Sequence, residues 1–446
     1  NLRTLKVKNV FEGNKAIKDV HVHTIFQANA NEFWFGTEAG LYIHNFKSGK
    51  TIIADKEYSN PYSVTDNIIS AIEKDAEGGV WIGTYFGGVN YYSKQFNNFH
   101  KYFPEPGKNS LSGNLVHEIC MDKYGRLWRG TEDGGLNFMD LKTGKIHSFL
   151  PDNKPGSISY RNIHGLVADG DELWIGTYEH GLDVMDLRTL KVVRHYNAAQ
   201  NSSSFTSDFI VTLYRTRKGE ILVGTWNGLF KYNRAKDNFS PFPFTNAHIQ
   251  SIQEDTDGTL WVGTYGSGVY YINPETGQTG HVKYVPKSAG LLNNYVNSVY
   301  RDSRNKLWFG TEGGISVYSP LSREFTNYTV ENGLPDNQVF KVLEDNSGMF
   351  WISTSKGLTR YDPKKQVFDV YSTPHGLPTE QFNYNSAFKS PDGSLFFGTV
   401  KGLVGFNPAD FLKNTFVPPV YITGLQVNNK DVEIRGADSQ LETAII

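Results

Sequence analysis

Hydrophobic and polar residues alternate along this chain in short runs that are separated by turn residues. In one stretch the run Ser251–Asp255 is followed by a glycine turn, the string Trp261–Thr264, a second glycine turn and the run Val269–Ile272. Alternation with a period of two, in runs rich in β-branched and aromatic residues, is typical of β-strands. Runs such as Phe325–Tyr328 add a fourth strand. The pattern predicts four antiparallel strands, A to D, and no helix.

The string Trp-x-Gly-Thr, or a close variant of it, marks strand B of this unit nine times. We number the copies as repeats 1 to 9, and they begin at Trp34, Trp81, Trp128, Trp174, Leu222, Trp261, Trp308, Trp351 and Phe396. Their spacing of 39 to 48 residues matches the period of propeller blades. One such sheet cannot bury both of its faces, so the repeats must stack around an axis. The sequence therefore predicts an all-β fold, a β-propeller of four-stranded antiparallel blades with the strand-B tryptophans buried between them.

The turn between strands A and B repeats two residue types. Gly or Asn stands three positions before the strand-B tryptophan, as at Gly78 and Asn305, where we expect a backbone with positive φ. Asp stands six positions before it at Asp75, Asp122, Asp255, Asp302 and Asp345. We expect these carboxylates to hydrogen-bond the turn backbone. Calcium binding by Asp255 and Asp257 is the weaker alternative, because a calcium loop needs more oxygen ligands in register.

Repeat 9 offers strands A to C but no fourth strand before Pro418. A ring that lacks one strand can borrow it from another part of the chain, and the run Phe96–Tyr102 has the required pattern. Repeats 3 to 9 would then close a seven-bladed ring, within the usual range of about four to eight blades. This predicts that residues 1–95 are two repeats of a preceding propeller and that residues 96–415 form the seven-bladed propeller.

Composition narrows the choice of partners. The 446 residues carry 44 basic and 46 acidic side chains, a net charge of −2, which predicts no nucleic acid partner and no direct membrane contact for this segment. No apolar run reaches the length of about 18 residues that a membrane helix needs. The single cysteine, Cys120, lies in an apolar run and is expected to be buried. His21 and His23 alternate on a strand without further ligands, so neither a metal site nor a cofactor is predicted.

From Val22 to Phe406 the repeats follow the pattern V..I..D..G.LWIGT..GL..Y. This pattern resembles the regulator-propeller repeats in the sensor regions of hybrid two-component systems of gut Bacteroidetes. The segments Asn332–Pro335 and His375–Pro378 look like those before the late blades of that family. Pro418–Thr423, followed by Leu425–Asn428, looks like the opening of its triple-tyrosine, Ig-like β-sandwich, which assigns residues 416–446 to the start of that domain.

The resemblance implies the periplasmic sensor part of an inner-membrane histidine kinase. The family has two seven-bladed propellers, the β-sandwich, a membrane helix, and then kinase, response-regulator and DNA-binding modules. It also implies that oligosaccharides from polysaccharides bind outside and control transcription of glycan-use genes. This chain has nine repeats and begins without a methionine, so we expect it to be part of a longer protein. The segment itself is predicted not to be an enzyme, and a homodimer is left open.

In a four-stranded blade the B–C and D–A loops emerge on one face, which is the natural binding surface. The residue after each Trp-x-Gly-Thr string lies in a B–C loop, and neighbouring residues extend this set. The predicted ligand-binding residues are Tyr85, Phe86, Glu132, Asp133, Tyr178, Glu179, His180, Trp226, Asn227, Tyr265, Glu312 and Lys356. Aromatic faces beside carboxylates and amides suit a sugar. The alternative is that these aromatics pack against the next blade or another domain.

Two other function classes stay open from the residues alone. A carbohydrate-active enzyme, a glycosidase or lyase, needs catalytic groups fixed across a cleft, whereas the acidic residues here mostly repeat from blade to blade. His180 beside Glu179 is the one candidate for a lyase base. A protein-interaction scaffold would use the same face to hold another protein. The sensor hypothesis rests chiefly on the resemblance.

Overall fold

The computed structural model describes residues 20–93, 99–199, 206–242, 246–287, 290–411, 426–427 and 430–431. The chain divides into two compact units, residues 1–411 and residues 412–446. Apart from three short 3-10 turns at Val330–Asn332, Thr373–His375 and Pro408–Asp410, the regular elements of the described residues are strands. The all-β prediction is therefore confirmed.

The strands follow the repeats. Repeats 1 and 2 contain β1 (Val22–Gln27), β2 (Glu32–Thr37), β3 (Gly40–Asn45), β4 (Lys50–Ala54), β5 (Ile69–Lys74), β6 (Val80–Thr84) and β7 (Val89–Tyr92), and β8 (His100–Tyr102) comes next. Repeats 3 and 4 contain β9 (Val116–Met121), β10 (Arg126–Thr131), β11 (Leu136–Asp140), β12 (Ile146–Phe149), β13 (Ile163–Asp169), β14 (Glu172–Thr177), β15 (Leu182–Asp186) and β16 (Lys191–Tyr196). Repeats 5 and 6 contain β17 (Ile210–Arg215), β18 (Ile221–Thr225), β19 (Gly228–Asn233), β20 (Asn238–Pro241), β21 (Ile249–Glu254), β22 (Leu260–Thr264), β23 (Val269–Ile272) and β24 (Thr279–Val282).

Repeats 7 to 9 complete the first unit. They contain β25 (Val296–Arg301), β26 (Leu307–Thr311), β27 (Gly314–Ser319), β28 (Glu324–Tyr328), β29 (Val339–Glu344), β30 (Phe350–Thr354), β31 (Gly357–Asp362), β32 (Val367–Tyr371), β33 (Phe382–Lys389), β34 (Leu395–Thr399) and β35 (Gly402–Phe406). In the second unit the described residues form the antiparallel pair β36 (Gln426–Val427) and β37 (Lys430–Asp431).

Repeat 9 takes its fourth strand from the segment before repeat 3. Strand β8 pairs antiparallel with β35, with Tyr102 opposite Leu403 and His100 opposite Gly405. This is the pairing expected for the run Phe96–Tyr102, whose residues 96–98 lie outside the described part. The first strands of repeats 3 to 9 contact one another in a closed cycle in which β33 touches β9. Seven four-stranded sheets therefore surround one axis. The domain division at residues 95 and 416 stays a prediction.

The glycine of the Trp-x-Gly-Thr string lets consecutive sheets approach closely. A Cβ atom on Gly176 would lie 2.4 Å from Cγ2 of Ile210, the first residue of β17. Gly398 of repeat 9 would meet the carbonyl oxygen of Val116 in repeat 3 at 2.7 Å, so the same contact closes the ring. Sheet-to-sheet spacing, rather than an unusual φ, requires these glycines.

Six of the seven strand-B tryptophans have the burial that the sequence predicts. Trp34, Trp128, Trp174, Trp261, Trp308 and Trp351 are 0% to 6% exposed. The prediction is wrong for Trp81, which is 46% exposed. Around Gly83, in the same strand, a Cβ atom would find its nearest neighbour in Ala71 of its own sheet, at 3.6 Å. Within the described residues no further sheet covers this face of repeat 2. Cys120 is partly buried and packs against the Trp128 cluster.

The aspartates of the A–B turn have the predicted role and one more. In Asp345, Oδ1 accepts the backbone N–H groups of Ser347 and Met349, which stabilises the turn. Its Oδ2 accepts the indole N–H of Trp351 at 2.8 Å. The other four aspartates make the same indole bond at 2.7 to 2.9 Å. The expected positive φ is present as well, at 88° for Gly78 and 62° for Asn305.

Candidate binding site at the mouth of the ring

The B–C loop of every repeat is tied to the beginning of its own strand A. The residue after the string donates its backbone N–H to the carbonyl of the residue just before strand A. Tyr178 bonds to Asn162 in this way at 3.0 Å, and Tyr265 bonds to His248 at 3.0 Å. The residue after the string and the residue before strand A therefore lie side by side, at the face that the sequence predicts as the binding surface.

The threonine of the string fixes the shape of the same loop. Its Oγ1 donates to the carbonyl of a glycine three or four residues later, at 2.7 to 2.9 Å in all nine repeats. These glycines have positive φ, for example 122° at Gly228 and 78° at Gly268, which a side chain would disfavour. Since backbone groups and the threonine hold the loop, the residues between them are free to vary.

Strand A carries one extra residue opposite the glycine of the string. In β21, Ile249 pairs with Thr264 and Ser251 pairs with Gly263, which leaves Gln250 without a partner in the ladder. A bulge of this kind re-aims a side chain. The equivalent extra residues are His117, His164, Val211, Asn297 and Phe340. The bulge turns this position toward the ring opening.

All of these bulge residues except His117 line a cavity of about 260 Å³, which we call the mouth cavity. Its lining includes four of the predicted ligand-binding residues, Tyr178, Trp226, Tyr265 and Glu312. The other lining residues are His164, Val211, His248, Gln250, Asn297, Gln338, Phe340 and Tyr384. The cavity thus combines B–C loop residues, residues next to strand A and bulge residues.

A larger bulge in repeat 9 reaches into the ring. Phe382 pairs with Thr399 and Ala387 pairs with Phe397. Five residue steps along β33 therefore lie opposite only two residue steps along β34. Within this bulge, Tyr384 lies 5.3 Å from the ring of His117. Asn385, at a φ of 54°, donates across the ring to the carbonyl of Gln250 at 2.6 Å. The bulge therefore connects repeats 9, 3 and 6 and closes one side of the mouth cavity with Tyr384.

Seven rings follow one another around part of the mouth, and we call them the aromatic arc. In order they are His117, His164, Tyr178, Trp226, His248, Tyr265 and Tyr295, with centroids 3.9 to 6.0 Å apart. Trp226 and Tyr265 are each 47% exposed. The arc runs from repeat 3 to repeat 7, and polar residues such as Glu312 and Gln338 line the cavity beyond it.

Burial sets the charge of the histidines in the arc. It lowers the pKa of His117 well below its usual value, and it lowers the pKa of His164 and of His248 to about 4. All three imidazoles are therefore neutral at physiological pH. Among the residues that line the mouth cavity, the charged side chain is that of Glu312.

Four segments match a known family, described as two component regulator propeller: residues 63–86, 243–266, 290–313 and 333–356. At these four places the repeats of the chain are similar to two-component regulator propeller repeats. The chain is also 29% identical to a histidine kinase of Formosa agariphila over 132 residues, which cover 27% of the chain and 10% of the kinase.

Solved structures have a similar fold. The extracellular domain of the hybrid two component system BT3049 from B. thetaiotaomicron is 25% identical, with a TM-score of 0.75, over 93% of this chain and 56% of that one. The extracellular domain of BT4673 from the same organism shares the fold, at 20% identity and a TM-score of 0.57, over 97% of this chain and 58% of that one. The chain thus spans little more than half of the length of these structures. No helix of its described residues is long and apolar enough to cross a membrane.

The remaining predicted residues lie at different distances from the mouth cavity. Glu132 does not line the cavity; its Oε2 lies 4.0 Å from Nε2 of His117, whose ring stacks on the lining residue His164. Lys356 forms an ion pair with Asp336 at 2.9 Å, and His180 stacks on Tyr160 at 4.2 Å. Asp133, Glu179 and Asn227 are exposed loop residues. Tyr85 and Phe86 belong to repeat 2, do not line the cavity, and are 67% and 81% exposed.

The sequence analysis missed the bulge residues and those just before strand A. Their shared sequence feature is that His164, Val211, Gln250, Asn297 and Phe340 each follow the first aliphatic residue of strand A, which does not by itself reveal a bulge. If strand A alternated strictly, the side chain at this position would point to the sheet face opposite that of the residues on either side of it. The bulge instead directs the side chain toward the axis of the ring. Among the described residues, no three His, Cys, Asp or Glu side chains are arranged to hold a metal ion.

Proposed function

We propose that this chain is the ligand-sensing part of a periplasmic two-component regulator and that it binds an oligosaccharide in the mouth cavity. The observation that carries the proposal is the aromatic arc beside polar side chains. A sugar ring presents an apolar face of C–H groups and a rim of hydroxyl groups. Exposed aromatic rings can stack on the apolar C–H face, and fixed carboxylates and amides can hydrogen-bond the hydroxyl groups.

The exposed members of the arc give the proposal its geometry. Trp226 and Tyr265 offer half-exposed rings on neighbouring repeats, with His248 between them at 5.4 and 5.5 Å. Glu312, Asn297 and Gln338 supply hydrogen-bonding groups on the other side of the cavity. A chain of sugar units lying across the mouth would stack on the aromatic side and hydrogen-bond the polar side.

The output is part of the same proposal. Bound oligosaccharide would shift the parent protein between two arrangements, since a ligand biases states only through differential contacts. That shift would control transcription of polysaccharide-utilisation genes through a kinase module. The support is the likeness to extracellular domains of two-component systems and to a histidine kinase.

The test is a binding measurement with purified chain and a panel of oligosaccharides, with each mixture analysed for cleavage products. Ligand at about 100 times its Kd adds about 2.7 kcal/mol to the free energy of unfolding, which a thermal shift reveals. Trp226→Ala should weaken binding at least about tenfold. Trp81→Ala is the matched control, because Trp81 is 46% exposed and Trp226 47%, yet Trp81 lies outside the ring. New products would indicate an enzyme, and no binding by any oligosaccharide would favour a protein-interaction scaffold.

A further inference from the structure

His117 and His164 are a stacked pair at the mouth whose nitrogens are not equivalent. Their centroids lie 3.9 Å apart, and they are 3% and 5% exposed. The amide of Asn383 fixes the tautomer of His117. Oδ1 of Asn383 accepts the backbone N–H of Tyr384 at 2.9 Å, and Nδ2 of Asn383 donates to the carbonyl of Val116 at 3.0 Å. This orientation makes Nδ2 the donor to Nδ1 of His117 as well, at 3.0 Å.

The consequence is a buried donor beside an exposed acceptor. With Nδ1 of His117 accepting, the neutral ring carries its proton on Nε2. Within the described residues, Nε2 of His117 and Nε2 of His164 are buried and have no hydrogen-bond partner. Oε2 of Glu132 lies 4.0 Å from Nε2 of His117, too far for a direct hydrogen bond. One hydroxyl group, about 2.8 Å from each atom, would accept from the imidazole and donate to the carboxylate.

The charges around this gap favour an uncharged ligand. Burial keeps both imidazoles neutral, because it lowers the pKa of His117 and of His164. The lining of the mouth cavity contains Glu312 and, among its described residues, neither Lys nor Arg. A ligand carboxylate beside His117 would therefore meet Glu132, and one inside the cavity would meet Glu312, without a lining cation to balance it.

We propose that the mouth, where His117 and Glu132 lie beside the cavity-lining His164, selects a neutral sugar unit, with one hydroxyl group bridging Nε2 of His117 and the carboxylate of Glu132, and discriminates against uronic acids. The inference rests on the proposed function and adds the substrate class. It assigns Glu132 a double role, as hydrogen-bond acceptor for the neutral sugar and as the group that repels the charged one.

The experiment compares neutral trisaccharides of galactose, glucose, mannose, xylose and arabinose with trimers of galacturonate, mannuronate and glucuronate. Binding is measured calorimetrically at low salt. We expect at least one neutral trimer to bind and every uronate trimer to bind at least about tenfold more weakly. In Glu132→Gln the neutral-to-uronate affinity ratio should fall by at least about fivefold, because the repulsive charge is gone. Glu324→Gln, a change at an exposed carboxylate on the outer strand β28, should leave the ratio unchanged.

The outcomes separate the two proposals. A uronate trimer that binds as tightly as the best neutral trimer would overturn the selectivity while leaving the oligosaccharide site in place. An unchanged ratio in Glu132→Gln would remove Glu132 from the mechanism. Failure of every trimer to bind would reject the proposed function, and the selectivity with it.

Discussion

The hydrogen bond between Asp345 and Trp351 offers a sharp test of how each sheet is stabilised. Asp345 is 6% exposed and Trp351 0%, and Oδ2 accepts the indole N–H at 2.8 Å. Oδ1 accepts two backbone N–H groups, those of Ser347 and Met349, at 2.8 and 3.1 Å. Hydrogen bonds to charged groups contribute about 1.5 to 3 kcal/mol, and a buried donor left unpaired costs about 1 to 3 kcal/mol. Asp345→Ala should therefore lower the free energy of unfolding by about 3 to 5 kcal/mol.

A double-mutant cycle isolates the indole bond. Trp351→Phe keeps an aromatic ring but removes the N–H, so Asp345→Ala should cost about 1.5 to 3 kcal/mol less when Trp351→Phe is already present. The assay is urea unfolding of the four proteins, followed by far-UV circular dichroism. Repeat 4 provides the control, because Ala168 occupies the aspartate position and the indole N–H of Trp174 has no partner in the described residues. Trp174→Phe should cost less than Trp351→Phe. A coupling energy below about 0.5 kcal/mol would refute the reasoning.

Three further predictions concern packing and charge, each measured by urea unfolding. Gly176→Ala should lower the free energy of unfolding by about 1 to 3 kcal/mol, because the new Cβ would lie 2.4 Å from Ile210. Gly83→Ala, where the nearest atom lies at 3.6 Å, should change it by no more than about 0.5 kcal/mol. Equal effects of the two substitutions would contradict the packing argument. Arg129 is 0% exposed, and its guanidinium nitrogens have no hydrogen-bond partner in the described residues, although the group lies over the ring of Tyr102. Arg129→Met should therefore raise the free energy of unfolding by about 1 to 4 kcal/mol, and a decrease would contradict the argument. Burial lowers the pKa of His164 to about 4, so the unfolded chain takes up its proton first as the pH falls; stability should decrease from about pH 6.5 to about pH 4, and less so in His164→Gln.

The fold could be predicted because its determinants are local and repeated. Strand order, the A–B turn and the closing strand all follow from the register of the Trp-x-Gly-Thr string, and His100–Tyr102 pairs with repeat 9 as expected. Burial was less predictable, because it depends on the neighbouring sheet. Trp81 has the same local sequence context as Trp128, including the aspartate six positions earlier, yet it is 46% exposed where Trp128 is 0% exposed.

The candidate site could be predicted only in part, for a reason rooted in strand geometry. Tyr178, Trp226, Tyr265 and Glu312 were accessible because each follows the string directly, in a loop whose face is set by the topology. Gln250 and Tyr384 were not, because a period of two assigns strand residues to alternate faces and gives no sign of a bulge. The register shift in β33 is visible only when the pairing partner of each residue is known.

The repeating frame and the varying mouth are physically separable, which makes the binding proposals testable. Each B–C loop is held by a backbone N–H and by the threonine hydroxyl, so the side chain after the threonine contributes little to loop geometry. At that one position the ring carries Glu132, Tyr178, Trp226, Tyr265, Glu312, Ser355 and Val400. Three consecutive repeats have an aromatic residue at this position. Because the fold accepts many residue types there, folding alone does not explain why the aromatic residues are adjacent. Substitutions at Trp226 or Glu132 should therefore change ligand affinity while the unfolding midpoint without ligand stays close to that of the parent chain, and a large drop in that midpoint would show that these side chains belong to the frame after all.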